Sequence, residues 1–154
     1  MKRINISPTD LSKFFWNKIL ENSFIKSEIY KKDFFSKIDS LEKLRLESEY
    51  NTGSISSTSS WLLYSLVIFF KPKTIIEIGS FIGKSTISMA LGADDYIDEH
   101  KCEIFCCDMS NDIKLPKLSK TKITQFNKTK SIDMLKNLDG NMSFDLVHVD
   151  GRLE

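Results

Sequence analysis

Ile76-Glu-Ile-Gly-Ser-Phe-Ile-Gly-Lys-Ser-Thr86 is the stretch that decides the fold. It continues the β-branched run that starts at Thr74 and Ile75, crosses Gly79 and Gly83, and ends in residues suited to open a helix. A short β-branched run bounded by glycine reads as a buried strand. The stretch therefore predicts a strand over 74–78, a turn over 79–83 and a helix over 84–91. Glycine lets the backbone take positive φ and pass close to a ligand. Free N–H groups at the start of the next helix favour a carboxylate or a phosphate. In an open α/β sheet, ligands bind at the carboxyl ends of strands near a switch point.

Three ligand classes use such a turn, and spacing separates them. A nucleoside-triphosphate loop needs four residues between its glycines, then Gly-Lys-Ser/Thr. Gly83-Lys84-Ser85 has that ending, but only three residues separate Gly79 from Gly83, and Ile78 stands where the first glycine belongs. A phosphate loop is thus the remote alternative. A dinucleotide fingerprint needs Gly-x-Gly, and position 81 is Phe. What remains is an acidic residue, x, Gly, three residues, Gly, x, Ser.

Outward from the turn, strands and helices alternate. Cys102 to Cys107, Ile123 to Phe126 and Phe144 to Val149 read as strands, and Ser131 to Leu138 as a helix. Alternation of this kind implies parallel βαβ units. The expected fold class is α/β: a Rossmann-like open, mainly parallel sheet with helices on both faces. Upstream, Ser7-Pro8 reads as a helix start, and Leu11, Phe14, Phe15, Ile19 and Leu20 recur at helical spacing. A second helical pattern carries Ile29, Phe34, Ile38, Leu41 and Leu44. Residues 1–50 form the expected N-terminal helical extension, and residues 51–154 the expected ligand-binding domain. Within that domain, the small polar run 51–60 leads into an apolar helix over about 59–70. Lys71-Pro72-Lys73 stops it, because proline disfavours helical geometry in the residue before it.

Composition narrows the function classes. Charged residues make up 28% of the 154 and the net charge is +1. No large field points to nucleic acid or an anionic membrane. The most apolar run, Trp61 to Phe70, is about half the length a membrane helix needs, and Met1 to Ile6 begin no secretory signal. Cys102, Cys106 and Cys107 suit neither a zinc site nor a disulfide framework. A cytoplasmic setting follows as an expectation, while monomer and homo-oligomer both stay open. The lysines at 114, 117, 120, 122, 128 and 130 occur without an acid between them; a solvated rim is the ordinary explanation and attraction of an anionic substrate the special one.

The pattern Glu77-Ile-Gly-Ser-Phe-Ile-Gly-Lys-Ser-Thr86 resembles motif I of class I S-adenosylmethionine-dependent methyltransferases, in the branch of small O-methyltransferases. Asp108 closes the second strand, where that family places an acid. Phe144-Asp-Leu-Val-His-Val-Asp-Gly151 is similar to motif IV. The resemblance covers roughly residues 57 to 151 and implies S-adenosylmethionine as cofactor and a small-molecule methyl acceptor.

It also implies roles. The backbone of Gly79, Ser80 and Gly83 would pass beside the cofactor's methionine part, and Phe81 would help close the pocket. Ser85 would bind the cofactor carboxylate with the helix N-terminus. Glu77 would point to the cofactor amine or to the loop's N–H groups, or simply brace the turn. Asp108 would accept from both ribose hydroxyls, with an ordinary strand-end aspartate as the alternative. Asp150 would face the transferred methyl. His148, on the same strand face by alternation, is the candidate general base, with a packed strand histidine as the plainer reading. In metal-dependent relatives the position of Asp150 ligates magnesium. A hard divalent ion needs several oxygen ligands, and Asp150 alone does not predict one.

The sequence departs from the family in three places. The interval from Glu77 to Asp108 is long, with an insertion expected over 93–100. Asn127 to Asp133 offers no clear adenine-binding acid. Arg152 and Leu153 stand where a histidine is common. The family's sheet has about seven strands and the sequence up to Glu154 supplies about four, so the C-terminal strands of the family are expected to be missing and the chain to be truncated after motif IV. A non-catalytic cofactor-binding module is the alternative function.

Overall fold

The computed structural model describes residues 7–20, 24–47, 54–95, 101–109, 114–138 and 140–151, leaving aside the side chains of 18–20, 24–27 and 44. The elements run α1 (Pro8–Leu20), α2 (Phe24–Ile38), α3 (Leu41–Glu47), α4 (Ser57–Phe70), β1 (Thr74–Ile78), α5 (Lys84–Asp95), β2 (Glu103–Asp108), β3 (Lys122–Asn127), α6 (Ser131–Asn137) and β4 (Leu146–Val149). The strands make one sheet in the order β3-β2-β1-β4. All three pairings are parallel. The chain moves outward from β1 to β3, then returns to pair β4 on the other side of β1. The switch point therefore lies between β1 and β4, where open α/β sheets bind ligands.

Register explains what each face holds. Ile75 aligns with Ile104 and with Leu146, and Ile104 with Ile123. These residues share one face, where Ile75 and Ile104 pack with Val67 of α4 and with Met89 and Ala90 of α5. The opposite face carries Ile76 and Cys107, buried with Met134 of α6. Helices thus cover both faces of the sheet.

A third layer lies outside α4 and α5. Trp16 of α1, Phe34 and Ile38 of α2, and Leu41 of α3 pack with Trp61, Tyr64, Ile68, Ile87 and Leu91. Trp16 stacks on Trp61, with centroids 5.2 Å apart and planes 2° from parallel. Its indole N–H donates to Ser65 Oγ over 2.8 Å. Burial of each such side chain is worth about 1.5–3 kcal/mol, and the indole bond avoids the cost of a buried unpaired donor.

Several boundaries differ from the sequence expectation. The second helical pattern breaks into α2 and α3, because the chain turns at Asp39 and Ser40, where Ser40 Oγ donates to Lys37 O over 2.6 Å. Helix α4 begins at Ser57, two residues early: Ser56 is its N-cap and accepts from the Ser59 N–H over 3.1 Å. Serines hidden in a polar run are good caps, which is why that run looked like loop. Helix α5 continues to Asp95. There Tyr64 donates its hydroxyl to Asp95, and Asp94 accepts the Lys120 and Thr121 N–H groups. Those tertiary partners hold a turn whose polar composition suggested an end. Ser7 does cap α1, accepting the Asp10 N–H over 3.2 Å. Lys71 ends α4 in the left-handed region at φ 50°. Part of the expected insertion, 96–100, lies outside the described residues, as do Arg152 and Leu153.

Candidate functional site

The site begins where β1 ends. Gly79 has φ 91°, and its N–H and that of Ser80 both donate to Cys107 O, over 2.9 and 3.1 Å. That pair of bonds ties the turn to β2. A Cβ on Gly79 would lie 2.6 Å from the Gly151 nitrogen and 2.8 Å from the Asp150 carbonyl carbon. Position 79 therefore excludes a side chain twice over, by φ and by space. The close approach seats Asp150-Gly151, at the end of β4, directly against the turn. The Asp150 N–H reinforces this by donating to Ile78 O over 2.9 Å.

Phe81 sits at φ 45°. A bulky residue at positive φ is an outlier that the surroundings must hold. Asp108 does so: its Oδ2 accepts the Phe81 N–H over 2.7 Å. Asp108 is buried and ends β2, as its register with Asn127 shows. Gly83, at φ 80°, has Leu115 against it, with the Leu115 Cδ2 only 2.0 Å from where a Cβ would stand. Ser80 Oγ is buried with no oxygen or nitrogen partner among the described residues.

Helix α5 then opens. Its first closing bond runs from the Ile87 N–H to Gly83 O, over 2.8 Å. The preceding N–H groups, of Lys84, Ser85 and Thr86, are the orphan donors of a helix start. All three residues are buried. An anion placed there gains from those donors and from the helix field.

Glu77 behaves differently from the expectation that it faces the loop's donors. Its carboxylate is fully buried, accepting from Thr86 Oγ1 on one oxygen and meeting His148 Nδ1 at 3.1 Å on the other. The loop N–H groups go instead to Cys107 O, Asp108 and Ser80 O. Glu77 thus locks β1 to α5 and β4. The reason lies in the register: Glu77 pairs with His148 across the parallel ladder, and their side chains share one face. Glu77 also raises the pKa of His148 above 6.5, through that hydrogen bond first and its charge next, with burial opposing and Asp150 adding.

Cys106 lies on the Glu77 face, and burial, aided by the charge of Glu77, pushes its thiol up to about 12. It is a packing residue, since a thiol needs a lowered pKa to react at neutral pH. None of the three cysteines is in a disulfide, and all are buried. Among the described residues no group of three or more His, Cys, Asp or Glu side chains converges as metal ligands do. No described helix is long and apolar enough to cross a membrane. The lysines at 114, 117, 120, 122, 128 and 130 are exposed, and Lys122 pairs with Glu103 at 2.5 Å.

The structure thus gathers Gly79, Ser80, Phe81, Gly83, Ser85, Asp108, Asp150 and, behind them, Glu77 and His148 at one end of the sheet. Thr86, which the sequence reading passed over, holds Glu77. Lys84, also passed over, is buried at the helix start. The signal for it was present: a lysine directly after the second glycine, set aside once the phosphate-loop spacing failed.

Neither a protein-family model nor a curated protein sequence matches the chain. Solved structures do match in fold. They include the methyltransferase PaMTH1 of Podospora anserina bound to SAH, at TM-score 0.61 and 18% identity over 98% of this chain and 62% of that one. The O-methyltransferase of Bacillus cereus in complex with SAH matches at TM-score 0.57 and 15% identity, over 92% of this chain and 60% of that one. The O-methyltransferase TomG of Streptomyces achromogenes, in complex with SAM, matches at TM-score 0.55 and 17% identity, over 93% of this chain and 60% of that one. The chain thus spans about 60% of the length of these structures, and over that span it has their Rossmann-like α/β fold.

Proposed function

We propose that the chain binds S-adenosylmethionine at the β1–α5 turn and belongs to a methyltransferase acting on an oxygen of a small molecule. The observation that carries this is the turn itself: two positive-φ glycines and a strained Phe81 held by Asp108, opening onto the first N–H groups of α5, which a helix leaves without partners of its own. The residues suit the cofactor's groups. The α5 start and Ser85 offer donors to a carboxylate. Asp108 offers a carboxylate to ribose hydroxyls, and a carboxylate accepts at about four positions. Buried Ser80 Oγ, without an oxygen or nitrogen partner among the described residues, is a further polar group beside the turn. The names of the Bacillus cereus and Streptomyces achromogenes proteins as O-methyltransferases support oxygen as the acceptor.

When bound, the cofactor supplies a methyl group already activated by its sulfonium. The work left to the chain is alignment, which is worth up to roughly 7–11 kcal/mol of barrier, and removal of an acceptor proton. Asp150, exposed at the end of β4 beside Gly79, is the residue set to face the acceptor. His148 is placed to help: Glu77 holds its Nδ1, which orients the ring as carboxylates orient catalytic imidazoles. Residues 1–50 serve as an extension whose helices α1, α2 and α3 pack on α4 and α5, and residues 51–154 serve as the domain that carries the turn and both strand ends.

Titration calorimetry with S-adenosylmethionine and its demethylated product tests the binding. Saturable binding is expected, with Asp108→Ala weakening it about tenfold or more; no binding by the wild type refutes the proposal. Methyl transfer to a panel of catechols tests the reaction. A second reading is a module that binds the cofactor without turnover. Binding without transfer would favour it.

A further inference from the structure

A cavity of about 350 Å³ lies between the α2–α3 corner, α3, the segment leading into α4 and Lys84 at the start of α5, the residue that follows the turn. Its walls include Asp39, Glu42, Arg45, Ser54 and Lys84. Arg45 and Glu42 satisfy each other, the guanidinium donating to Glu42 Oε1 over 2.6 Å. Lys84 is only 8% exposed; its carbonyl accepts from Ser88 Oγ over 2.6 Å, and its ammonium makes neither a hydrogen bond nor a salt bridge among the described residues. Glu42 feels its charge but is held by Arg45. Ser54 Oγ, which also lines the cavity, is buried without a partner among the described residues. A lysine with a buried stem whose ammonium opens only onto a cavity gains from an anion placed there. Its position at the first residue of α5 adds the helix's own unsatisfied N–H groups. An ammonium and an unpartnered hydroxyl lining one cavity call for an anion.

The acidic lining residues decide which anion. Asp39 and Glu42 would repel a phosphate dianion, yet they suit a ligand that carries a positive group next to its carboxylate. An α-amino acid has that pattern. We infer that Lys84 is the counter-ion for the α-carboxylate at the amino-acid end of S-adenosylmethionine, with Ser54 as second donor and the α2–α3 corner facing the α-ammonium. The inference rests on the proposed function and moves the main carboxylate contact from Ser85 to Lys84. It also makes the N-terminal extension part of the cofactor's site.

The test compares two ligands that differ at that end: S-adenosylmethionine and 5′-methylthioadenosine, which lacks the amino acid. Calorimetry is run on the wild type, Lys84→Gln and Lys84→Arg. Lys84→Gln should lose roughly ten- to a hundredfold in affinity for S-adenosylmethionine and stay within about threefold for methylthioadenosine, while Lys84→Arg keeps most of both. Equal losses for the two ligands, or no loss, overturn the inference while leaving cofactor binding intact. A wild type that binds neither ligand fells the proposed function and the inference with it. Inorganic phosphate that raises the melting temperature of the wild type but not of Lys84→Gln would make the cavity a phosphate site, overturning the carboxylate assignment. If Lys84→Gln fails to fold, Ser54→Ala carries the same comparison: a severalfold loss for S-adenosylmethionine alone supports the inference, and unchanged affinity overturns it.

Discussion

The two faces of the sheet are built to different depths. One face lies under α4 and α5, which are themselves covered by α1, α2 and α3, so Ile75 and Ile104 are fully buried beneath two helical layers. The other face has only α6 over it among the described residues, with a small cluster of Ile76, Cys107 and Met134. Val147 and Val149 on that face are 58% and 46% exposed. Burial scales with layers, so the thick face holds most of the hydrophobic stabilisation. The turn and its strand-end residues sit where the thick face meets the switch point. Rigid backing of this sort is what a preorganised site needs.

Substitutions can break that contrast. Phe34→Ala, which removes a ring packed at 4.8 Å from Tyr64 and 5.4 Å from Trp61, should cost about 3–5 kcal/mol. Met134→Ala on the thin face should cost less, nearer about 2 kcal/mol. Denaturant melts of both measure the difference, and equal losses would show the faces to be energetically alike. Gly79→Ala should come next: it forces a side chain into φ 91° and against Gly151. A loss of roughly 1–3 kcal/mol is expected, together with weaker cofactor binding, because the backbone of the turn must move.

A smaller and more local effect tests the Glu77–His148 lock. The folded pKa of His148 lies above 6.5, so the pair contributes fully below pH 6.5 and its contribution fades as pH rises through the raised value. Glu77→Gln should lower the midpoint of the His148 ring resonances in an NMR titration and flatten that pH dependence. An unchanged midpoint would mean that Glu77 does not set the imidazole's charge. The smallest effect is expected at the far end of the sheet. Asp145 accepts the Lys73 and Thr74 N–H groups, over 2.7 and 3.1 Å, and those bonds hold its carboxyl below 3.8. Its contribution is present above 3.8 and lost as pH falls through the lowered value. Asp145→Asn should shift the melting temperature only slightly and remove that acid sensitivity.

Much of the site was legible because its parts are local. Gly79, Gly83 and the helix start follow one another along the chain, and their spacing alone rejected the phosphate loop. Asp108 and Asp150 stand at strand ends, which period and length locate. The alternation that puts His148 and Asp150 on one face was also readable. The partners were not. Glu77 meets His148 and Thr86, and Asp108 meets Phe81, through contacts across 71, 9 and 27 positions respectively. Each depends on a strand register or a backbone angle that no local pattern carries. The split of α2 from α3 and the extension of α5 to Asp95 were missed for the same reason, since the deciding bonds come from elsewhere in the chain.

By itself, then, the sequence determined a parallel α/β architecture, the glycine turn and the strand ends that flank it. These follow from periodicity, β-branching and the conformational freedom of glycine, all properties of neighbouring residues. Only the tertiary structure decided that Glu77 faces inward to a histidine and a threonine, and that Gly79 must lie bare against Gly151. It alone brought Lys84 into a cavity shared with the N-terminal helices. Burial and charge pairing are set by which distant residues come together, and that is fixed by packing rather than by order along the chain.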